Sequence, residues 1–248
     1  MKPVRDFVRW YLRKKNLTAI PSEVAAGMGP NESATFAGAL QRLRKRGLRL
    51  ETIIDVGASD GRWSLELLPL FPKARFLCIE AQPAHEAELK AFVAQHPQVE
   101  YALCAAGERV GRTSFDATDL LGGWVQKAST GPDSIDVPMS TIDVLVAKRG
   151  LAPPYLIKLD THGYELPILA GGAATLKETE ALVVEVYNLP GGPPAVPFYE
   201  FCRWMAGQGF RCIDMFDPLY RPLDQAFWQM DLVFLRSDRP EFKQLAYA

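Results

Sequence analysis

The sequence predicts an α/β protein: a doubly wound, seven-stranded, mostly parallel sheet with a helical N-terminal extension. Three observations carry that expectation. From residue 51 onward, short β-branched or apolar runs alternate with helical stretches, the pattern of strands joined by crossover helices. The last two strand-like runs lie close together in sequence, which suits an antiparallel hairpin at one edge of the sheet. A chain of 248 residues with 48% apolar content is also long enough to bury one large core.

The elements follow in order. Within residues 1–50, Val4, Phe7, Val8, Tyr11 and Leu12 recur at helical spacing, with Arg5, Arg9 and Arg13 among them. Pro21, Gly27, Gly29 and Pro30 break that helix. Asn31 and Ser33 are candidate caps of a second helix, which stops at Gly47. Residues 51–248 form the main domain. Its expected strands are 52–56 (TIIDV), 75–80 (RFLCIE), 99–105, 156–160 (LIKLD), 181–187 (ALVVEVY), 210–216 and 230–236 (MDLVFLR). Helices are expected after the first strand, through Trp63, Leu67 and Leu68, and over 84–95, 165–169 and 198–208. Between Gly107 and Pro138 the chain is Gly-rich without a strong period, which predicts a long binding lid.

Charge is nearly balanced overall but not along the chain. Residues 1–50 hold eleven Lys/Arg against three Asp/Glu, while the remainder carries an acidic excess. Such an asymmetry can steer a molecule toward an anionic partner or a membrane face, although a helical cap with a solvated basic face is the plainer explanation. Contact between copies in a homo-oligomer is a third use of the same surface. Cys78, Cys104, Cys202 and Cys212 show neither CxxC pairing nor zinc-finger spacing, so a reducing compartment is expected. With no signal-like apolar run at the start and no apolar stretch of about 18 residues, the chain reads as cytoplasmic. Peripheral attachment to a membrane face is the second expectation.

The sharpest chemical signal is Asp55-Val56-Gly57-Ala58-Ser59-Asp60-Gly61, directly after an apolar strand and before a helix. In open α/β sheets, ligands bind beyond the carboxyl ends of the strands. Gly57 and Gly61 permit tight turns and close backbone approach, and the helix that follows presents free N–H groups. The second strand ends in Glu80, a carboxylate placed to accept hydrogen bonds from two ribose hydroxyls. A plain strand–turn–helix explains either feature alone, but not their agreement. A dinucleotide fingerprint has glycine where Ser59 stands, and Asp55 and Asp60 repel a diphosphate. The same acids suit the amino and sulfonium cations of S-adenosylmethionine. The donor-binding set is therefore Asp55, Gly57, Ala58, Ser59, Gly61, Glu80 and Ala81.

Residues 55–64 (DVGASDGRWS), 79–83 (IEAQP), 137–145 (VPMSTIDVL), 158–171 (KLDTHGYELPILAG) and 229–234 (QMDLVF), taken together, resemble the FkbM family of methyltransferases. The resemblance covers roughly residues 51–236. It implies a class I methyltransferase fold and methylation of hydroxyl oxygens, often on sugars or polyketide-like natural products. It also implies that Asp55, Gly57 and Gly61 line the methionine end of the donor, and Glu80 its ribose. One position departs from the pattern: after Thr161 such sequences commonly carry Glu or Gln, and here stands His162.

A hydroxyl is a poor nucleophile unless a base takes its proton or a metal lowers its pKa. Asp160 and His162 fall just past the fourth strand, where either fits a general base. Alternatively, with Glu185 or Asp214 they hold Mg²⁺, the candidate set being Asp160, His162 and Glu185. Lys158 is expected to pair with a strand-end acid. Residues 152–155 (APPY) resemble the [DN]-P-P-Y of amino-directed nucleic-acid methyltransferases. Ala152 lacks the required side-chain oxygen and the motif precedes the fourth strand, so no nucleic-acid acceptor is expected. The acceptor is then a small molecule or glycan. Two rivals stay open, a non-catalytic donor-binding scaffold and a nicotinamide-dependent oxidoreductase.

Overall fold

A computed structural model describes residues 34–126, 134–189, 191 and 194–246. The expected first helix lies outside the described residues, as do Asn31 and Ser33. The described part of the second helix is α1 (Phe36–Lys45), capped by Thr35, whose hydroxyl accepts from the Gly38 amide at 3.2 Å. Its Arg42 grips Asp214 through two bonds of 2.5 and 3.0 Å, so Asp214 is committed to that helix and is no metal ligand.

The main sheet contains β1 (Thr52–Val56), β2 (Arg75–Glu80), β3 (Val99–Leu103), β8 (Tyr155–Leu159), β9 (Thr179–Tyr187), β10 (Phe210–Tyr220) and β11 (Phe227–Arg236). Their spatial order is β10-β11-β9-β8-β1-β2-β3. Parallel pairing joins β3, β2, β1, β8 and β9, whereas β11 runs antiparallel to both β9 and β10. The expected edge hairpin is thus present. Strand order reverses direction between β1 and β8, which puts a crevice at the carboxyl ends of those strands.

Alternation along the strands feeds two cores. Ile53, Phe76, Leu156 and Val183 face one side and meet Leu43 of α1, Leu67 of α2 (Arg62–Leu67) and Leu89 of α3 (Glu86–Gln95). Ile54, Leu77, Ile157 and Leu182 face the other side. There they pack on α4 (Ile142–Arg149), α5 (Glu165–Gly171), α6 (Ala173–Lys177) and α7 (Phe198–Gly207) through Ile142, Ile168, Leu176 and Met205. Helices on both faces make the sheet doubly wound, and each of these buried aliphatics stabilises it by about 1.5–3 kcal/mol.

Three expectations change. The strand expected over 99–105 ends at Leu103, and β4 (Ala105–Ala106) passes into a second sheet. The stretch expected to be a lid is mostly that sheet: β5 (Gly111–Asp116), β6 (Trp124–Gln126) and β7 (Ser134–Ser140), in the order β4-β7-β5-β6. Phe115, Val137 and Met139 anchor it to the core, and among the described residues, 117–123 form a loop over the sheet's carboxyl edge. Finally, β10 continues past Phe216 to Tyr220, with Asp217 at φ 46° where the hairpin bends. Among the described residues, no helix is long and apolar enough to cross a membrane.

Candidate active site

A cavity of about 1540 Å³ opens at the carboxyl edge of the main sheet. Its floor on the β1–β2 side is the glycine turn. Gly57 sits at φ +75°, and a Cβ there would lie 2.0 Å from the Asp160 carbonyl oxygen, so only glycine lets β1 pass that close to β8. Ser59 also takes a left-handed conformation, φ 52°, which aims its amide at Glu80. Both oxygens of Glu80 accept backbone N–H bonds, Oε2 from Ser59 at 2.7 Å and Oε1 from Gln82 at 2.6 Å. Burial pushes the Glu80 carboxyl above its usual range, against the pull of those two amides and of His85. Of the donor-binding set expected from the sequence, Gly57, Ala58, Ser59, Glu80 and Ala81 line the cavity.

Asp55 and Gly61 do not. Asp55 is fully buried beneath the turn, accepting from the Ser64 hydroxyl at 2.8 Å and paired with Lys158 Nζ at 3.3 Å. The sequence could not reveal this because Asp55 and Lys158 are register partners on adjacent strands distant in sequence. Gly61 instead serves packing: at φ +85° it starts α2, and a Cβ there would strike the Phe92 ring at 2.4 Å.

On the β8–β9 side the polar groups interlock. Lys158 Nζ lies 3.2 Å from Asp160 Oδ2 and 3.3 Å from the Gly57 carbonyl, under the Trp63 ring. Burial acts to raise the Asp160 pKa, but Lys158, a hydrogen bond from Glu185 and the nearby His162 hold it below the usual carboxylate range. Glu185 goes the other way, kept well above that range by burial and by the Asp160 charge beside it. Gln229 Nε2 donates to its Oε1. Glu165 caps the connecting loop, accepting from Thr161 at 3.1 Å and from the Gly163 amide at 2.9 Å, outside the cavity.

His162 lines the cavity, yet both ring nitrogens are engaged. A carbonyl can only accept, so Nε2 donates to Leu121 O at 3.1 Å, and Nδ1 is paired with the Tyr187 hydroxyl at 2.8 Å. That arrangement leaves no lone pair for a general base. A ligand atom from each of Asp160, His162 and Glu185 comes within 4.8 Å of the others. The set nevertheless does not suit Mg²⁺, which wants six oxygen ligands. Asp160 is held by Lys158, Glu185 by Gln229 and by its bond to Asp160, and His162 by Tyr187 and Leu121.

The roof is residues 117–123. Gln82 Nε2 donates to Ala117 O at 3.4 Å, His85 Nε2 to Leu120 O at 2.8 Å, and His162 to Leu121 O. Sequence reasoning missed Gln82, His85, Tyr187 and Gln229, because none belongs to a motif whose spacing implies chemistry. Gln82 and Gln229 do fall inside stretches that carry the family resemblance, the one signal that pointed to them.

The Methyltransferase FkbM domain matches residues 55–212, from the glycine turn into β10. A curated relative is the 2-O-methyltransferase NoeI of Sinorhizobium fredii (strain NBRC 101917 / NGR234), 27% identical over 154 residues. The match covers 54% of this chain and 62% of that protein, so the chain spans about three fifths of the relative's length. Similar solved structures include the Methanococcus jannaschii fibrillarin pre-rRNA processing protein, with TM-score 0.48 and 15% identity, covering 76% of this chain and 67% of that one. Another is the Burkholderia thailandensis 1,6-didemethyltoxoflavin-N1-methyltransferase, with TM-score 0.47 and 13% identity, covering 94% and 90%. With a family match over more than half its length, and with the glycine turn, Glu80, Asp160 and Glu185 inside it, this chain belongs to the FkbM methyltransferase domain family.

Proposed function

We propose that the chain transfers the methyl group of S-adenosylmethionine to a hydroxyl oxygen of a sugar, glycan or related natural product. The observation that carries this reading is Glu80, a buried carboxylate aimed by two backbone amides onto the cavity beside the Gly57 turn. Its remaining lone pairs suit the paired hydroxyls of a ribose. The lining supports a cationic donor, with seven carboxyl side chains against three Lys/Arg. Gly57, Ala58 and Ser59 give the donor a close backbone wall, and Ala81 borders it.

Bound there, the donor would supply an electrophilic methyl carbon, its S–CH3 bond breaking as the new O–CH3 bond forms and S-adenosylhomocysteine leaving. Asp160 accepts the hydrogen bond of the incoming hydroxyl and takes its proton as the oxygen attacks. Lys158 keeps Asp160 ionised, and Glu185 orients it through their shared hydrogen bond. His162 acts by position, tying the roof to Tyr187. The curated relative's name, a 2-O-methyltransferase, supports oxygen as the acceptor atom.

Calorimetric titration with S-adenosylhomocysteine and NAD⁺ tests the donor. The expected result is saturable binding of the former alone, weakened tenfold or more in Glu80→Ala, about 1.4 kcal/mol. NAD⁺ binding, or unchanged affinity in Glu80→Ala, overturns the reading. Transfer of labelled methyl to a panel of sugars, with turnover persisting in EDTA, tests the reaction.

A further inference from the structure

The cavity mouth is unusually apolar for a site whose floor is so acidic. Leu120, Trp124, Leu189, Tyr220 and Leu223 all line it, and all are large apolar side chains left exposed, Leu223 at 83%. They arrive from three unconnected segments: the roof and β6, the residues after β9, and the β10–β11 hairpin. Exposed apolar side chains scattered singly need no explanation, but convergence on one opening marks a binding surface. The hairpin carries two of them because β10 and β11 extend beyond the rest of the sheet, with Tyr220 packed on Phe227 at 6.1 Å between ring centres.

Below this rim the floor offers Asp160, Glu185, Asp231, Gln229 and Tyr187, a set rich in partners for hydroxyl groups. Each of the three lining cations is already engaged, Arg62 with Asp60, Arg221 with Asp224, and Lys158 with Asp55 and Asp160. A phosphate or carboxylate entering here meets carboxylates first. The volume of about 1540 Å³ also exceeds the roughly 300–1,000 Å³ that a single drug-sized ligand fills, leaving room for a second molecule beside a donor.

We propose that the acceptor is an uncharged amphipathic polyol. Its hydroxyl-bearing end enters over Asp160, Glu185 and Asp231, and its alkyl or aryl body lies against Leu120, Trp124, Leu189, Tyr220 and Leu223. The proposal rests on the methyl-transfer reading and adds the acceptor class to it. An anionic acceptor, one use the basic N-terminal region suggests, is disfavoured at this opening.

The test uses the full chain saturated with S-adenosylhomocysteine, titrated with hexyl β-glucoside, hexyl β-galactoside, the two parent sugars, glucose 6-phosphate and hexanol. At least one hexyl glycoside is expected to bind ten or more times tighter than its parent sugar and than hexanol, with glucose 6-phosphate no tighter than glucose. Leu223→Ser and Trp124→Ser should each remove several-fold of the glycoside's advantage while leaving S-adenosylhomocysteine affinity unchanged. Leu223 is exposed enough that its replacement leaves folding intact. Equal affinity for glycoside and sugar, hexanol binding as well as the glycosides, a preference for the phosphate, or no binding of any glycoside each overturns the proposal. Failure of S-adenosylhomocysteine itself to bind would instead defeat the donor reading, so the two failures are distinguishable.

Discussion

Asp160 and Glu185 face each other at the carboxyl ends of neighbouring parallel strands, with carboxylate oxygens within 4.8 Å, and burial beside the Asp160 charge pushes Glu185 toward its protonated form. The asymmetry comes from Lys158, 3.2 Å from Asp160, while Glu185 is buried against its neighbour's charge. In the unfolded chain both carboxyls ionise above about pH 4.5. The native pair therefore keeps a proton that the unfolded chain has released, and its contribution to stability falls as pH rises past that value. A glutamine at 185 offers an amide N–H toward Asp160 in place of the protonated carboxyl, without this proton linkage. We expect Glu185→Gln to match the wild type near pH ~4 and to gain up to about 1.4 kcal/mol per pH unit above it, until the wild-type pair titrates. Urea unfolding at several pH values checks this. A difference that does not change with pH contradicts the assignment of the proton.

Lys158 also neutralises Asp55, which is 0% exposed and cannot recruit water in its place. Removing one partner of a buried pair typically costs about 3–5 kcal/mol. Lys158→Met should destabilise by that much, whereas Asp55→Asn keeps a partner for Ser64 and removes the stranded charge. The double variant is then more stable than Lys158→Met alone, and a double-mutant cycle by chemical denaturation measures the coupling. If Asp55→Asn weakened donor binding as strongly as Glu80→Ala, the placement of Asp55 beneath the cavity would be wrong.

These relationships mark where the sequence stops being legible. The main sheet and the glycine turn could be read because each is local: apolar runs show strands, and Gly57 beside Ser59 shows a turn. Glu80 was readable from its place at a strand end. Asp55 misled because a strand residue's direction depends on register with Lys158, about a hundred positions away. The small second sheet escaped because Gly, Ser, Thr and Asp dominate β5, and only Phe115 of that strand is buried. The reach of β10 escaped because Asp217-Pro218 reads as a breaker, yet the hairpin bends there and continues. His162 was singled out for its chemistry, whereas its hydrogen bonds to Leu121 and Tyr187 give it a holding role.

That role has a measurable consequence for the roof. His85 and His162 reach it from different strand ends and donate to the adjacent carbonyls of Leu120 and Leu121. A net hydrogen bond contributes about 0.5–1.5 kcal/mol, so losing either should speed opening of the roof by about two- to tenfold. Hydrogen exchange of a peptide spanning residues 117–123 is expected to accelerate in His85→Ala and in His162→Ala, with core strands β1 and β8 unchanged. Wild-type exchange in both variants would show that something else secures the loop.

The two glycines of the turn should fail differently when replaced by alanine. Both sit at positive φ, which costs a residue with a Cβ roughly 1–2 kcal/mol in each case. Beyond that, the Cβ at 57 meets the backbone of Asp160 at 2.0 Å, and the Cβ at 61 meets the side chain of Phe92 at 2.4 Å. A backbone can yield only by moving β8, which displaces Asp160 from the cavity, whereas a ring can be trimmed. Gly61→Ala should therefore lose stability and regain much of it in Gly61→Ala/Phe92→Leu, with donor affinity close to wild type in the rescued form. Gly57→Ala should lose donor binding and turnover, with no single side-chain replacement restoring them. Thermal unfolding and S-adenosylhomocysteine titration on the three variants separate these outcomes. Equal rescue of binding at both positions would mean that the approach of Gly57 to Asp160 has no part in shaping the site.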